Sequence, residues 1–173
     1  MKLETGICGE QSVRVSAENT AKTMGSGTLE VFATPALVAL AEKTCWMSLA
    51  DALGEGNGSV GTKLELEHTA PTPVGMTVTC ESELVAVEGR KLTFKVALHD
   101  EKGPVGGGTH ERFFINNAKF AAKAEAKKGY NSLRHRCAMP PPSRREAYPA
   151  RNAKGSLSEG AFCTHLYNGA RYK

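Results

Sequence analysis

VFATPALVALAEKTCW, residues 31–46, decides how the rest of this 173-residue chain is read. Thr34 reads as an N-cap, with Pro35 at the first helical position, where a missing N–H costs nothing. Nothing breaks the helix until Leu53, and GEGNG at 54–58 ends it. A helix apolar on nearly every face has to be covered by the segments on either side of it.

After the helix the period changes from helical to alternating. In SVGTKLELEHTAP (59–71), Lys63, Glu65 and Glu67 face one way while Leu64, Leu66 and His68 face the other. MTVTCESELVAVEG (76–89), RKLTFKVALHDEKG (90–103) and PVGGGTHERFFIN (104–116) are three more long strand candidates. Turn signals divide them at Glu88-Gly89 and at Asp100-Glu101-Lys102-Gly103. NAKFAAKAEAKK (117–128) reads as a closing helix. Before the central helix, residues 3–16 alternate loosely and suit an edge strand, and residues 17–30 suit a short helix or a loop. One long helix followed by four long antiparallel strands implies an α+β domain with the helix laid on one sheet face.

The chain divides into residues 1–127, which hold this pattern, and a tail over 128–173 with three consecutive prolines, scattered arginines and no sustained period. The tail reads as disordered. A basic arm for RNA or acidic membranes is its functional alternative. It holds nine Lys/Arg and two acids, a net +7, so the first 127 residues carry −3 of the total charge of +4. The basicity is therefore no argument for nucleic-acid binding by the folded part. No apolar run reaches membrane-span length, and MKLETGICGE lacks a signal peptide's apolar stretch, so a cytoplasmic location with no membrane partner is expected. Five cysteines without a C-x-x-C pair read as free thiols, and no cluster has metal-ligand spacing.

Three residues stand out chemically. Thr34 is either only a cap or a hydroxyl placed where a helix N-terminus favours an oxyanion. Glu42 has Val38, Cys45 and Trp46 as its neighbours along the helix, so its own stripe is apolar. It is either an edge-exposed glutamate or a carboxylate in a partly apolar pocket, suited to proton transfer. In such a pocket, glutamine in its place would leave stability unchanged or higher. His68, on the Leu64/Leu66 face, is either a hydrogen-bonded core residue or a catalyst. His110 has the same ambiguity, and Glu111 and Arg112 read as charges on alternate faces. The glycine run at 106–108 lacks the spacing of a nucleotide loop.

The ordered set VFATPALVALAE, GSVGT (58–62), EHTAPTPVGMTV (67–78), VEGRKLTFKVALHDE (87–101) and GGGTHERFFI (106–115) resembles the fluoroacetyl-CoA thioesterase-like family of hotdog-fold enzymes. The resemblance spans roughly residues 5–125 and none of the tail. It implies a long central helix wrapped by a curved antiparallel sheet, chains paired edge to edge into a homodimer or a dimer of dimers, and acyl-CoA sites at the dimer interface. It places the catalytic threonine on Thr34, the glutamate on Glu42 and the histidine on His68. Gly61 falls on the backbone position that helps hold the thioester carbonyl. The implied activity is hydrolysis of a small acyl-CoA, with coenzyme A part of the substrate and no separate cofactor. A non-catalytic acyl-CoA-binding module is the alternative on the same fold. The family's fluoroacetate-selective member carries an aromatic lid before VFAT. This chain has KTMGSGTLE (22–30) there, with Met24 and Leu29 and no phenylalanine, which implies a broader short-chain substrate.

Overall fold

The computed structural model describes residues 3–129. Strand β1 (Cys8–Arg14) leads through a 3₁₀ turn (Ala17–Asn19) to α1 (Thr34–Ser48) and the short α2 (Ala50–Leu53). Four long strands follow: β2 (Asn57–His68), β3 (Thr77–Glu88), β4 (Lys91–Asp100) and β5 (Gly103–Asn116). Helix α3 (Asn117–Ala126) comes last, with a 3₁₀ turn at Lys127–Gly129. The five strands form one antiparallel sheet in the order β1-β3-β4-β5-β2. Helix α1 touches all five, both edges included, so the sheet wraps around it as expected. The expected tail falls on residues 130–173, outside the described residues, apart from Lys128 and Gly129 in the last 3₁₀ turn.

The alternation of each strand decides which face meets the helix. Val78, Cys80 and Leu84 of β3 and Leu92, Phe94, Val96 and Leu98 of β4 are buried against Leu37, Leu40, Ala41 and Cys45 of α1. Each fully buried Leu or Phe stabilises this arrangement by about 1.5–3 kcal/mol. The β3–β4 hairpin turns through Gly89 at φ +62°, and the β4–β5 turn closes on Asp100 Oδ1, which accepts from the Lys102 and Gly103 amides at 2.8 and 3.2 Å. No helix among the described residues is long and apolar enough to cross a membrane.

Two details of α1 differ from the sequence reading. The helix does not run unbroken to Leu53. Ser48 Oγ donates to the Cys45 carbonyl at 2.9 Å, taking the acceptor that the Leu49 amide would use. Leu49 N–H bonds instead to Trp46 O at 3.3 Å, one turn closes tightly, and α2 starts afresh. The cap is also Ala33, not Thr34. Ala33 is extended (φ −79°, ψ 141°) and its carbonyl accepts the Leu37 amide at 3.0 Å, so Thr34 is already inside the first turn. The threonine hydroxyl makes no cap bond and is left for another partner.

Candidate active site

That partner is His68. Thr34 Oγ1 lies 3.0 Å from His68 Nδ1, joining the start of α1 to the end of β2. The strand alternation turns His68 to the inner face, as the sequence predicted, where its ring meets Phe32 edge-on at 6.4 Å. Burial pushes its pKa below the ordinary histidine value, opposed by a hydrogen bond to the Ala70 backbone. At neutral pH the ring is uncharged, and with its hydrogen on Nε2 it leaves Nδ1 free to accept the Thr34 proton. The pair lines a cleft of about 240 Å³ under Ala21, Ser26 and Val31 of the segment that precedes α1. Two isolated bridges, Thr20 to Phe32 and Val31 to Pro73, hold that segment in place. The positive end of α1 points at Thr34, where negative charge on a reacting carbonyl would be favoured.

Glu42 is eight residues further along α1, about 12 Å at 1.5 Å per residue, and belongs to a second cluster. Its side chain is 42% exposed, and Oε1 lies 3.8 Å from His110 Nε2 and 4.0 Å from Arg112 Nη1. It is therefore not the lone acid of an apolar pocket. The helix stripe alone could not reveal a basic partner supplied by β5.

Gly61 of β2 packs against the same carboxylate. A methyl group on it would collide with Glu42 Oε1 and stand 3.0 Å from His110 Cε1. Its φ is not positive, so glycine is required there for space and not for backbone freedom. The strand is bulged between Gly61 and Lys63, which turns Gly61 toward the helix.

Arg112, read from the sequence as a charge on an alternate face, is the residue that the sequence reading missed, and His110, left open there, is its partner. Both are buried, and they share the inner face of β5 while Glu111 faces away. Arg112 Nε donates to Ser59 Oγ at 2.9 Å, Nη2 to Ser59 O at 2.8 Å and Nη1 to His110 Nε2 at 2.9 Å. That last bond needs a bare Nε2, so His110 carries its hydrogen on Nδ1 and donates it to Lys63 O at 2.9 Å. Burial foremost, and the Arg112 charge, hold the His110 pKa below the ordinary value. The imidazole is a fixed neutral acceptor that aims the guanidinium toward Glu42. The available signal was the i, i+2 spacing, which sets His110 and Arg112 on one face, together with an acid on α1 in need of a cation.

The glycine run 106–108 has a plain structural cause. A Cβ on Gly106 would strike Glu67 O of β2, one on Gly108, where φ is +152°, would strike Glu65 O of β2, and one on Gly107 would stand 3.0 Å from Val96 O of β4.

One chain thus joins Thr34 to His68 and Glu42 to Gly61, but sets the two pairs apart along α1. Comparison with known proteins adds the family. A profile described as that of the fluoroacetyl-CoA-specific thioesterase matches residues 15–118. The fluoroacetyl-CoA thioesterase of Streptantibioticus cattleyicolor is 48% identical over 98 residues, which are 57% of this chain and 70% of that protein. A solved structure of the fluoroacetyl-CoA thioesterase FlK matches with a TM-score of 0.69 at 38% identity, over 73% of this chain and 98% of that one. A thioesterase superfamily member from Thermus thermophilus matches with a TM-score of 0.68 at 25% identity, over 73% of this chain and 94% of that one. By the extent of the family match and the identity to this relative, the chain belongs to the fluoroacetyl-CoA-specific thioesterase family.

Proposed function

We propose that this protein hydrolyses the thioester of a small acyl-CoA, adding water across the carbonyl–sulfur bond to release the free acid and coenzyme A. The observation that carries the reading is the Thr34–His68 hydrogen bond at the head of α1, with a neutral histidine as the base. Thr34 positions or attacks the carbonyl, His68 takes the proton, and Glu42 activates water. Gly61 offers its backbone to the carbonyl oxygen. The reading calls on no separate cofactor, coenzyme A being part of the substrate.

The reading includes a homodimer. Strand β2 is a sheet edge of 12 residues and carries both Gly61 and His68. An unpaired edge of that length is a pairing surface. Antiparallel pairing of β2 with its own copy, centred between Leu64 and Glu65, sets Gly61 of one chain opposite the partner's His68 and brings the two half-sites together. A dimer of dimers would build on the same unit. We place the protein in the cytoplasm, where the thiols of Cys8, Cys45 and Cys80 stay reduced.

Thiol release from acetyl-CoA, propionyl-CoA, fluoroacetyl-CoA and longer homologues, scored by kcat/KM, tests the reading. A preference among the short acyl groups is expected. Saturable binding with no thiol release would make the protein an acyl-CoA-binding module instead.

A further inference from the structure

Glu42 and Arg112 face each other without touching. A carboxylate and a guanidinium in contact usually close to about 2.7–2.9 Å, often through two parallel bonds. Here Glu42 Oε1 stops 4.0 Å from Arg112 Nη1, and the guanidinium spends its bonds elsewhere. Nε and Nη2 are held by Ser59 on one side, and Nη1 is held by His110 Nε2 on the other, at 2.9 Å. Three bonds fix the plane of the guanidinium and its distance from the acid.

His110 is itself held at both nitrogens. Nδ1 donates to Lys63 O at 2.9 Å, so the ring cannot turn and Nε2 stays aimed at Arg112. The ring is fully buried, and its register partners on β2 and β4 are Leu64 and Phe94, whose side chains offer no rival donor. Remove that acceptor and a buried Nη1 loses its partner, which costs free energy until another is found. The carboxylate oxygen already beside it is Glu42 Oε1. A carboxylate tied by direct bonds to a guanidinium has fewer free lone pairs and holds its charge more firmly, and is a poorer base.

We infer that His110 is a positioning residue for Glu42: by engaging Arg112 Nη1 it keeps the guanidinium out of direct contact with the carboxylate, whose oxygens stay free to take a proton from water. The inference rests on the hydrolase reading, in which Glu42 activates water, and adds what keeps that acid available.

The test compares His110→Leu, which removes the acceptor, with His110→Gln, whose side-chain carbonyl stands in for Nε2. Both are made in the full-length protein, alone and with Glu42→Gln, and melting temperatures show that each variant is folded. On a short acyl-CoA, His110→Leu is expected to lower kcat by about tenfold or more with KM within about twofold. His110→Gln should recover most of that loss. In the Glu42→Gln background, His110→Leu should cost no more than about twofold, because its effect passes through a carboxylate that is gone. Equal losses in the two backgrounds, or leucine and glutamine equally impaired, would overturn the positioning role. Nitrogen NMR of histidine-labelled wild type at neutral pH supplies a readout that needs no turnover. It should find the His110 hydrogen on Nδ1, and a hydrogen on Nε2 would overturn the inference. If the wild type releases no thiol, the hydrolase reading falls and the guanidinium signals of labelled Arg112 decide the placement. Signals that move much further in His110→Leu with Glu42 present than with Glu42→Gln support it, and equal shifts in the two backgrounds overturn it.

Discussion

Glu42 is where the structure changes the expected behaviour of a single residue. Glu42→Gln keeps the shape and removes the charge, and kcat should fall by about 10²–10⁴ with little change in KM. Read from the helix alone, the substitution would leave stability unchanged or raise it. With buried Arg112 4.0 Å away the sign reverses, because the guanidinium loses its nearest counter-charge. A fall in melting temperature of about 2–4 °C is expected, from a half-exposed pair worth on the order of 0.5–1 kcal/mol. A variant with wild-type turnover would show that Glu42 serves Arg112 only. His68 and His110 lead to a pH prediction. Burial holds both below 6.5, so as pH drops through 6.5 the unfolded chain binds protons that the folded chain resists. Stability is therefore complete above that range and is lost on acidification. Melting temperature should be flat from about pH 8 to pH 7 and decline below 6.5, less steeply in His110→Gln. A profile level down to about pH 5 would contradict the buried neutral histidines.

At the scale of the element, β2 and β5 use glycine for two separable reasons. At Gly61 the atom in the way is the tip of a flexible side chain, Glu42 Oε1, backed by the fixed His110 ring. Gly61→Ala should displace the carboxylate more than it disturbs the strand. We expect a loss of kcat approaching that of Glu42→Gln, with a melting temperature within about 5 °C of wild type. At Gly106 the obstacle is the Glu67 carbonyl, which belongs to the sheet ladder and cannot swing away. Gly106→Ala should cost roughly 2–4 kcal/mol in a denaturant titration. Equal destabilisation by the two substitutions would mean that Gly61 has no special relation to Glu42. The alternation of β2 was legible in the sequence, since Lys63, Glu65 and Glu67 against Leu64, Leu66 and His68 follows from the two-residue period. The bulge at Gly61 was not, because it depends on how β2 registers against β5.

The whole molecule brings the two half-sites into question, since one chain leaves Thr34 and Glu42 eight residues apart along α1. A homodimer paired through β2 predicts that light scattering finds two chains or four at micromolar concentration, and a monomer would sink it. It also predicts complementation. A mixture of Glu42→Gln and His68→Ala chains, unfolded and refolded together, should recover up to about a quarter of wild-type activity, because half the dimers are mixed and one of their two sites is intact. No recovery would place each site within a single chain. The sequence by itself determined the α+β class, the buried helix, the four long strands and the inward face of His68, because each follows from a local period that backbone geometry imposes on neighbouring residues. Its ordered motifs pointed to the family. Tertiary structure alone decided that Ala33 caps α1, that the Thr34 hydroxyl turns to His68, and that Glu42 answers to His110 and Arg112. The Thr34 and Glu42 relations join residues 34 to 70 positions apart in the chain, and only the closing of the sheet around α1 sets their distances.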